Sequence, residues 1–249
     1  MTRAFLSALL LMLLSFGARA NEITVAVAAN FAVTAGQIGA EFHRQTGNDV
    51  QVSTGSSGKL YAQITHGAPY DVFLSADVER AQRLDQDGLA VSGSRFTYAR
   101  GQLVLWSARL EKVDAGVLRS AQFAHLAVAN PRIAPYGAAA FDVLNRLHVS
   151  PAVRARLVYG EDIGQTFQLA ASGAADLAFV ALSQLRSGQV TGAYWLIPPS
   201  LYRPIEQQAV LLGRAKDNVA ARAFLEFLKG PTARAIMTRS GYLAPENSP

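Results

Sequence analysis

Apolar positions along the chain follow two alternating periods. Ile23-Thr24-Val25-Ala26-Val27-Ala28 reads as a buried strand, ended by Ala29-Asn30-Phe31. A helix from Val33 then carries Ala35, Ile38 and Phe42 on one face, and Gly47 closes it. Val50 and Val52 alternate with polar neighbours up to Thr54, which predicts a second strand. Leu60 and Ile64 share a helical face, with Gly67 and Pro69 as stop signals. Val72-Phe73-Leu74 predicts a third strand. Asp77 caps the next helix, which turns Val78, Ala81 and Leu84 inward and ends at Gly88. Strands alternating with helices at this spacing imply βαβ units on a parallel sheet, where ligands bind beyond the carboxyl ends of the strands. Asn30 and Ser57 both fall at strand-to-helix turns and can converge there.

The pattern changes between Phe96 and Trp106, where extended segments break at Arg100-Gly101; a first crossing between two lobes is expected here. A second α/β set follows. Its strands are Leu126-Ala127-Val128, a short one near Val158-Tyr159, and Leu177-Ala178-Phe179-Val180. Its helices carry Phe141, Leu144 and Leu147, start again at Pro151, and follow Glu161-Asp162-Ile163-Gly164-Gln165. Pro198, Pro199 and Pro204 mark a break before an extended run from Ile205 to Leu212. Two last helices, one with Val219, Ala223, Phe224 and Phe227 and one from Thr232 to Ser240 capped by Gly241, return to the first lobe. The expected division is a leader over 1–20, a first lobe of 21–98 plus 202–249, and a second lobe of 99–201. The fold class is α/β, each lobe a mostly parallel sheet flanked by helices.

Composition adds a compartment. A basic start, Met1-Thr2-Arg3, precedes an apolar run from Ala4 to Phe16 that is too short to span a membrane, and Ala18-Arg19-Ala20 matches a secretory cleavage pattern. Export with cleavage after Ala20 is expected. The chain has no cysteine, which excludes disulfides, thiol catalysis and a lipid-modified N-terminal cysteine; a soluble protein in a bacterial periplasm fits. The formal net charge is +5, of which Arg3 and Arg19 supply two. Basic residues such as Arg80, Arg83, Arg154 and Arg156 are scattered, so a nucleic-acid partner is not expected.

Ser53-Thr54-Gly55-Ser56-Ser57-Gly58-Lys59 joins the second strand to its helix. Strand, Gly/Ser turn and helix aim free backbone N–H groups at an anion, and serine hydroxyls add donors without charge. The same stretch also reads as a polar turn with Ser57 as helix N-cap. It is not a nucleotide-binding loop: the glycines are too closely spaced and Leu60, not Ser or Thr, follows Lys59. His43, His66, His125 and His148 form no metal-binding pattern, and Gly55-Ser56-Ser57-Gly58 lacks the spacing of a hydrolase elbow. Asp71, Asp77 and Asp176 read as caps and turn residues.

Taken together, Ala28-Ala29-Asn30-Phe31, Gly55-Ser56-Ser57-Gly58, Gly67-Ala68-Pro69-Tyr70-Asp71 leading to Asp77, and Asn130-Pro131 with Ala134-Pro135-Tyr136-Gly137 resemble the periplasmic molybdate-binding proteins of ABC transporters. The similarity continues through Ile163-Gly164-Gln165, Ala171-Ser172-Gly173, Gly230-Pro231 and Gly241-Tyr242. The resemblance implies a type II periplasmic-binding fold with a tetrahedral oxyanion, molybdate or tungstate, held between the lobes. It implies no catalysis and no cofactor. Its ligand set maps onto Asn30 and Ser57 in the first lobe, with Ala29 contributing at most a backbone N–H, and onto Tyr136 and Ile163 in the second. Ala181 stands where another branch of the family has a tyrosine, so the Tyr136 phenol is expected to supply that donor. The set contains donors only and no carboxylate. Implied partners are an inner-membrane permease and its ATPase, with the protein itself a monomer. Another oxyanion such as sulfate is the alternative ligand.

Overall fold

The computed structural model describes residues 22–188 and 190–245; the expected leader and its cleavage site lie outside them. Two five-stranded sheets carry the molecule. The first contains β1 (Glu22–Ala28), β2 (Asp49–Gly55), β3 (Val72–Ser75), β4 (Phe96–Gly101) and β10 (Ile205–Leu211), in the order β2-β1-β3-β10-β4. The second contains β5 (Leu103–Ser107), β6 (Leu126–Ala129), β7 (Leu157–Gly160), β8 (Leu177–Ala181) and β9 (Ala193–Leu196), in the order β7-β6-β8-β5-β9. Both follow one scheme. Three parallel strands meet a reversed one, β10 in the first sheet and β5 in the second, which pairs antiparallel on both sides. The type II periplasmic-binding architecture expected from the sequence is therefore present, as two mixed sheets.

The helices that matter for the site are α1 (Ala32–Thr46), α2 (Ser57–Thr65), α3 (Val78–Gln86), α5 (Pro135–Arg146) and α7 (Ile163–Ala171); α4 (Ala115–Ser120) and α6 (Pro151–Arg154) are short connectors. Each helix forms where its apolar stripe meets a sheet. Ala35, Ile38 and Phe42 of α1 pack with Ile23, Val25 and Val27 of β1. Gly47 ends α1 at φ 74°, its N–H on the His43 carbonyl, as its position in the sequence predicts. Asp77 caps α3 by accepting from the Arg80 N–H at 2.9 Å. The chain's last helices, α9 (Val219–Lys229) and α10 (Pro231–Arg239), join the first-lobe core through Phe224, Leu228 and Ile236.

Three boundaries differ from expectation. Helical backbone begins at a 3-10 turn, Ala29–Phe31, directly after β1 and ahead of Val33. Passage between the sheets falls at Gln102, beyond the 98/99 boundary, because Arg100 and Gly101 still pair with Glu206 and Ile205. The six-residue helix α8 (Leu182–Ser187) and the edge strand β9 are too short to leave a period in the sequence.

Candidate functional site

Four helices begin at one place between the lobes. The Ala29–Phe31 turn follows β1, α2 follows β2, α5 follows β6 and α7 follows β7, each at the carboxyl end of its strand. The first N–H groups of a helix have no partner inside it, and their dipoles favour negative charge. Here they surround one small cavity of about 10 Å³. All five residues expected from the sequence line it: Ala29, Asn30, Ser57, Tyr136 and Ile163. No Lys, Arg or His is among the described residues lining it. A wider groove opens alongside, with Arg80, Arg83, Arg132 and Arg203 in its wall; Arg80, Arg83 and Arg203 pair with Asp77, Glu79 and Asp142. The smaller cavity, with its unpaired donors, is the candidate site.

Ser57 is fully buried, and its Oγ accepts from the Ala76 N–H at 2.9 Å. The amide occupies a lone pair, so the hydroxyl proton remains for an acceptor in the cavity. The helix cap is the preceding residue: Ser56, extended at φ −66° and ψ 147°, accepts from the Lys59 N–H at 3.3 Å. The turn reading that made Ser57 the N-cap is thus corrected by one position. Gly58 follows at a point of close approach. Its N–H donates across the lobes to Ile133 O at 2.9 Å, and a Cβ there would stand 2.9 Å from Ile133 Cα.

Asn30 lines the cavity while its side-chain amide nitrogen is engaged within the protein. Its Nδ2 donates to Gln207 Oε1 at 3.0 Å and to Tyr242 Oη at 3.1 Å. Its carbonyl accepts from Tyr242 at 2.7 Å and from Ser183 Oγ at 3.0 Å. Both protons of its side-chain amide are therefore engaged within the protein.

Tyr136 behaves in the same way. Its ring is buried, and Gln207 Nε2 donates to its phenol at 3.4 Å. The phenol lies so close to Gly101 that a Cβ there would overlap it. Burial, with Tyr242 nearby, holds this phenol protonated far above the usual tyrosine range. The phenol expected to donate to the cavity lies instead against Gly101 and Gln207, where the first crossing begins. Gly137 makes that placement possible, since any Cβ there would strike the Ala129 carbonyl at the end of β6.

Ile163 opens α7, its carbonyl accepting from Gln184 Nε2 at 2.9 Å. Ala29 adds no hydroxyl. Ala181, fully buried in the second-lobe core, has its N–H on Gln184 Oε1.

Sequence reasoning missed three participants. Asp162 lines the cavity, so the site is not free of carboxylates; Oδ1 is engaged as cap of α7 by the Gln165 N–H at 2.9 Å. An acidic residue just before a helix was a legible signal for it. Ala76 and Gln207 had none, because the first acts through its backbone and the second through a strand irregularity.

A model of the bacterial extracellular solute-binding proteins matches residues 23–243. The chain belongs to that family. Among its relatives is the molybdate-binding protein ModA of Azotobacter vinelandii, 47% identical over 92% of this chain and 93% of its own length. ModA of Rhodobacter capsulatus is 46% identical over 94% and 93%. The solved structure of the Azotobacter vinelandii periplasmic molybdate-binding protein superposes with a TM-score of 0.86 at 44% identity, over 90% of this chain and 100% of that one. The same two-lobed frame recurs at low identity in the sulfate-binding protein SubI of Mycobacterium tuberculosis (16%, TM-score 0.71), where only the fold is shared.

Proposed function

We propose that this protein binds molybdate, and tungstate comparably, between its lobes and delivers it to an ABC importer as a soluble monomer in the periplasm. The observation that carries this reading is the convergence of four helix N-termini on one cavity without a cationic side chain. A fully ionised tetrahedral dianion offers only acceptors, and backbone N–H groups with the Ser57 hydroxyl are the complementary donors. Hydrogen bonds to a charged group contribute roughly 1.5–3 kcal/mol each, so about six give on the order of 10–18 kcal/mol before desolvation and lost freedom are subtracted. A net of about −8 to −12 kcal/mol, sub-micromolar binding, is consistent with that. The donors come from both lobes, so occupancy favours the closed form, which a permease can recognise.

The relatives' names support the choice of molybdate over sulfate. A hydrolytic role for Ser57 finds no support, since no histidine is among the described residues lining the cavity and its Oγ accepts from a backbone amide. Calorimetric titration of the chain from residue 21 with molybdate, tungstate, sulfate and phosphate tests the reading. Comparable binding of the first two and much weaker sulfate binding are expected; equal or tighter sulfate binding would overturn it.

A further inference from the structure

Behind the cavity lies a buried polar cluster that anion binding does not itself require. We propose that Gln207 is a positioning residue that couples the two lobes through this cluster, setting how readily the site closes without touching the anion.

One amide serves both lobes. Gln207 is fully buried on β10. Its Oε1 accepts from Asn30 Nδ2 and from Tyr98 Oη, both at 3.0 Å, and both belong to the first lobe. Its Nε2 donates to Tyr136 Oη in the second lobe. Asn30 and Tyr136 both line the cavity, one from each lobe. Their side chains are thus tied together behind it by a single residue.

The strand is shaped for this contact. Gln207 pairs with Ala99 but Gln208 pairs with Thr97, so Tyr98 is an extra residue on β4. Such a bulge re-aims side chains, and here it brings the Tyr98 phenol onto Gln207. Gly101, where the first crossing begins, leaves the space that Tyr136 Oη and Gln207 Nε2 occupy. Burial keeps the phenols of Tyr98 and Tyr136 protonated, so the cluster holds its pattern across neutral pH. When the second lobe swings away, Tyr136 leaves with it and water can reach what remains. Closed, Gln207 partners Asn30, Tyr98 and Tyr136; without it, the closed form buries these groups with a partner missing, and opening relieves this.

The affinity part of this proposal rests on the molybdate reading; the lobe-opening part does not. The test uses the chain from residue 21 with spin labels on Gln45→Cys and Gln168→Cys, one in each lobe, in a protein with no other cysteine. Gln207→Leu should lengthen the anion-free label separation and weaken molybdate binding about tenfold to a hundredfold. Tyr136→Phe should weaken binding several-fold alone, but by less than about threefold in the Gln207→Leu background, since both remove one link. Equal effects of Tyr136→Phe in both backgrounds, or a lower thermal midpoint of Gln207→Leu with label separation and affinity unchanged, would overturn the proposal. Should Gln207→Leu fail to fold, Tyr136→Phe must still lengthen the anion-free separation, and an unchanged distance overturns it. If the parent chain does not bind molybdate, the ligand reading fails while the anion-free distances still decide the coupling.

Discussion

Ser56 and Ser57 are adjacent, alike in chemistry and both buried, yet they have different tasks. Ser56 completes a helix by accepting from Lys59 N–H; Ser57 accepts from Ala76 N–H and keeps a proton for the cavity. Ser57→Ala should weaken molybdate binding by roughly 1.5–3 kcal/mol, about tenfold to a hundredfold, and also cost stability because the Ala76 amide loses its partner. Ser56→Ala should cost about 1 kcal/mol of stability through the lost cap and leave affinity nearly unchanged. Measuring anion affinity and the anion-free thermal midpoint for both variants separates the two roles. Equal affinities in the two variants would remove Ser57 from the site. Tyr136 carries the complementary lesson. A phenol is conspicuous in a sequence, but a side chain at the start of a helix can face away from the ligand that its backbone meets.

At the scale of elements, the site depends on where helices start relative to strand ends. α5 approaches β6 so closely that Gly137 has no space for a methyl group against the Ala129 carbonyl. Gly137→Ala should push the start of α5 outward, carrying the Tyr136 N–H with it. The expected cost is about 1–3 kcal/mol of stability from overpacking, together with weaker molybdate binding. Denaturant unfolding and calorimetry would measure the two; full affinity in a destabilised variant would show that the Tyr136 N–H is not a ligand. The repeated scheme of the two sheets explains why the donors face each other. Each sheet supplies two helix starts from the carboxyl ends of its parallel strands, and the reversed strands β5 and β10 carry the crossings.

For the molecule as a whole, function depends on the fit between lobes. Gly58 N–H to Ile133 O, Arg80 Nη2 to Arg132 O at 3.1 Å and the exposed Lys59–Glu161 pair at 3.3 Å span the cleft. The last of these is screened by solvent and adds little. Gly58 is the sensitive point, because a Cβ there would press on the Ile133 backbone only when the lobes are closed. Gly58→Ala should leave the anion-free thermal midpoint nearly unchanged while weakening molybdate binding about tenfold or more, as closure stops short. Small-angle scattering should show a smaller compaction on adding molybdate than in the parent chain. Undiminished affinity and compaction would mean that the interface shifts to accept the methyl group.

The sequence by itself determined the elements and their order, because burial imposes periods that survive in a linear pattern. The strand of Val25 and Val27, the helix of Ile38 and Phe42, its end at Gly47 and the cap at Asp77 were all legible there. So was the set Ala29, Asn30, Ser57, Tyr136 and Ile163, carried by motif resemblance and found along one cavity. Tertiary structure alone decided which atoms of those residues face it. The amide of Asn30 and the phenol of Tyr136 both meet Gln207 behind the cavity. Gln207 itself left no trace in the pattern. Its position depends on an extra residue, Tyr98, in the opposing strand, and a bulge exists only once two distant segments have paired.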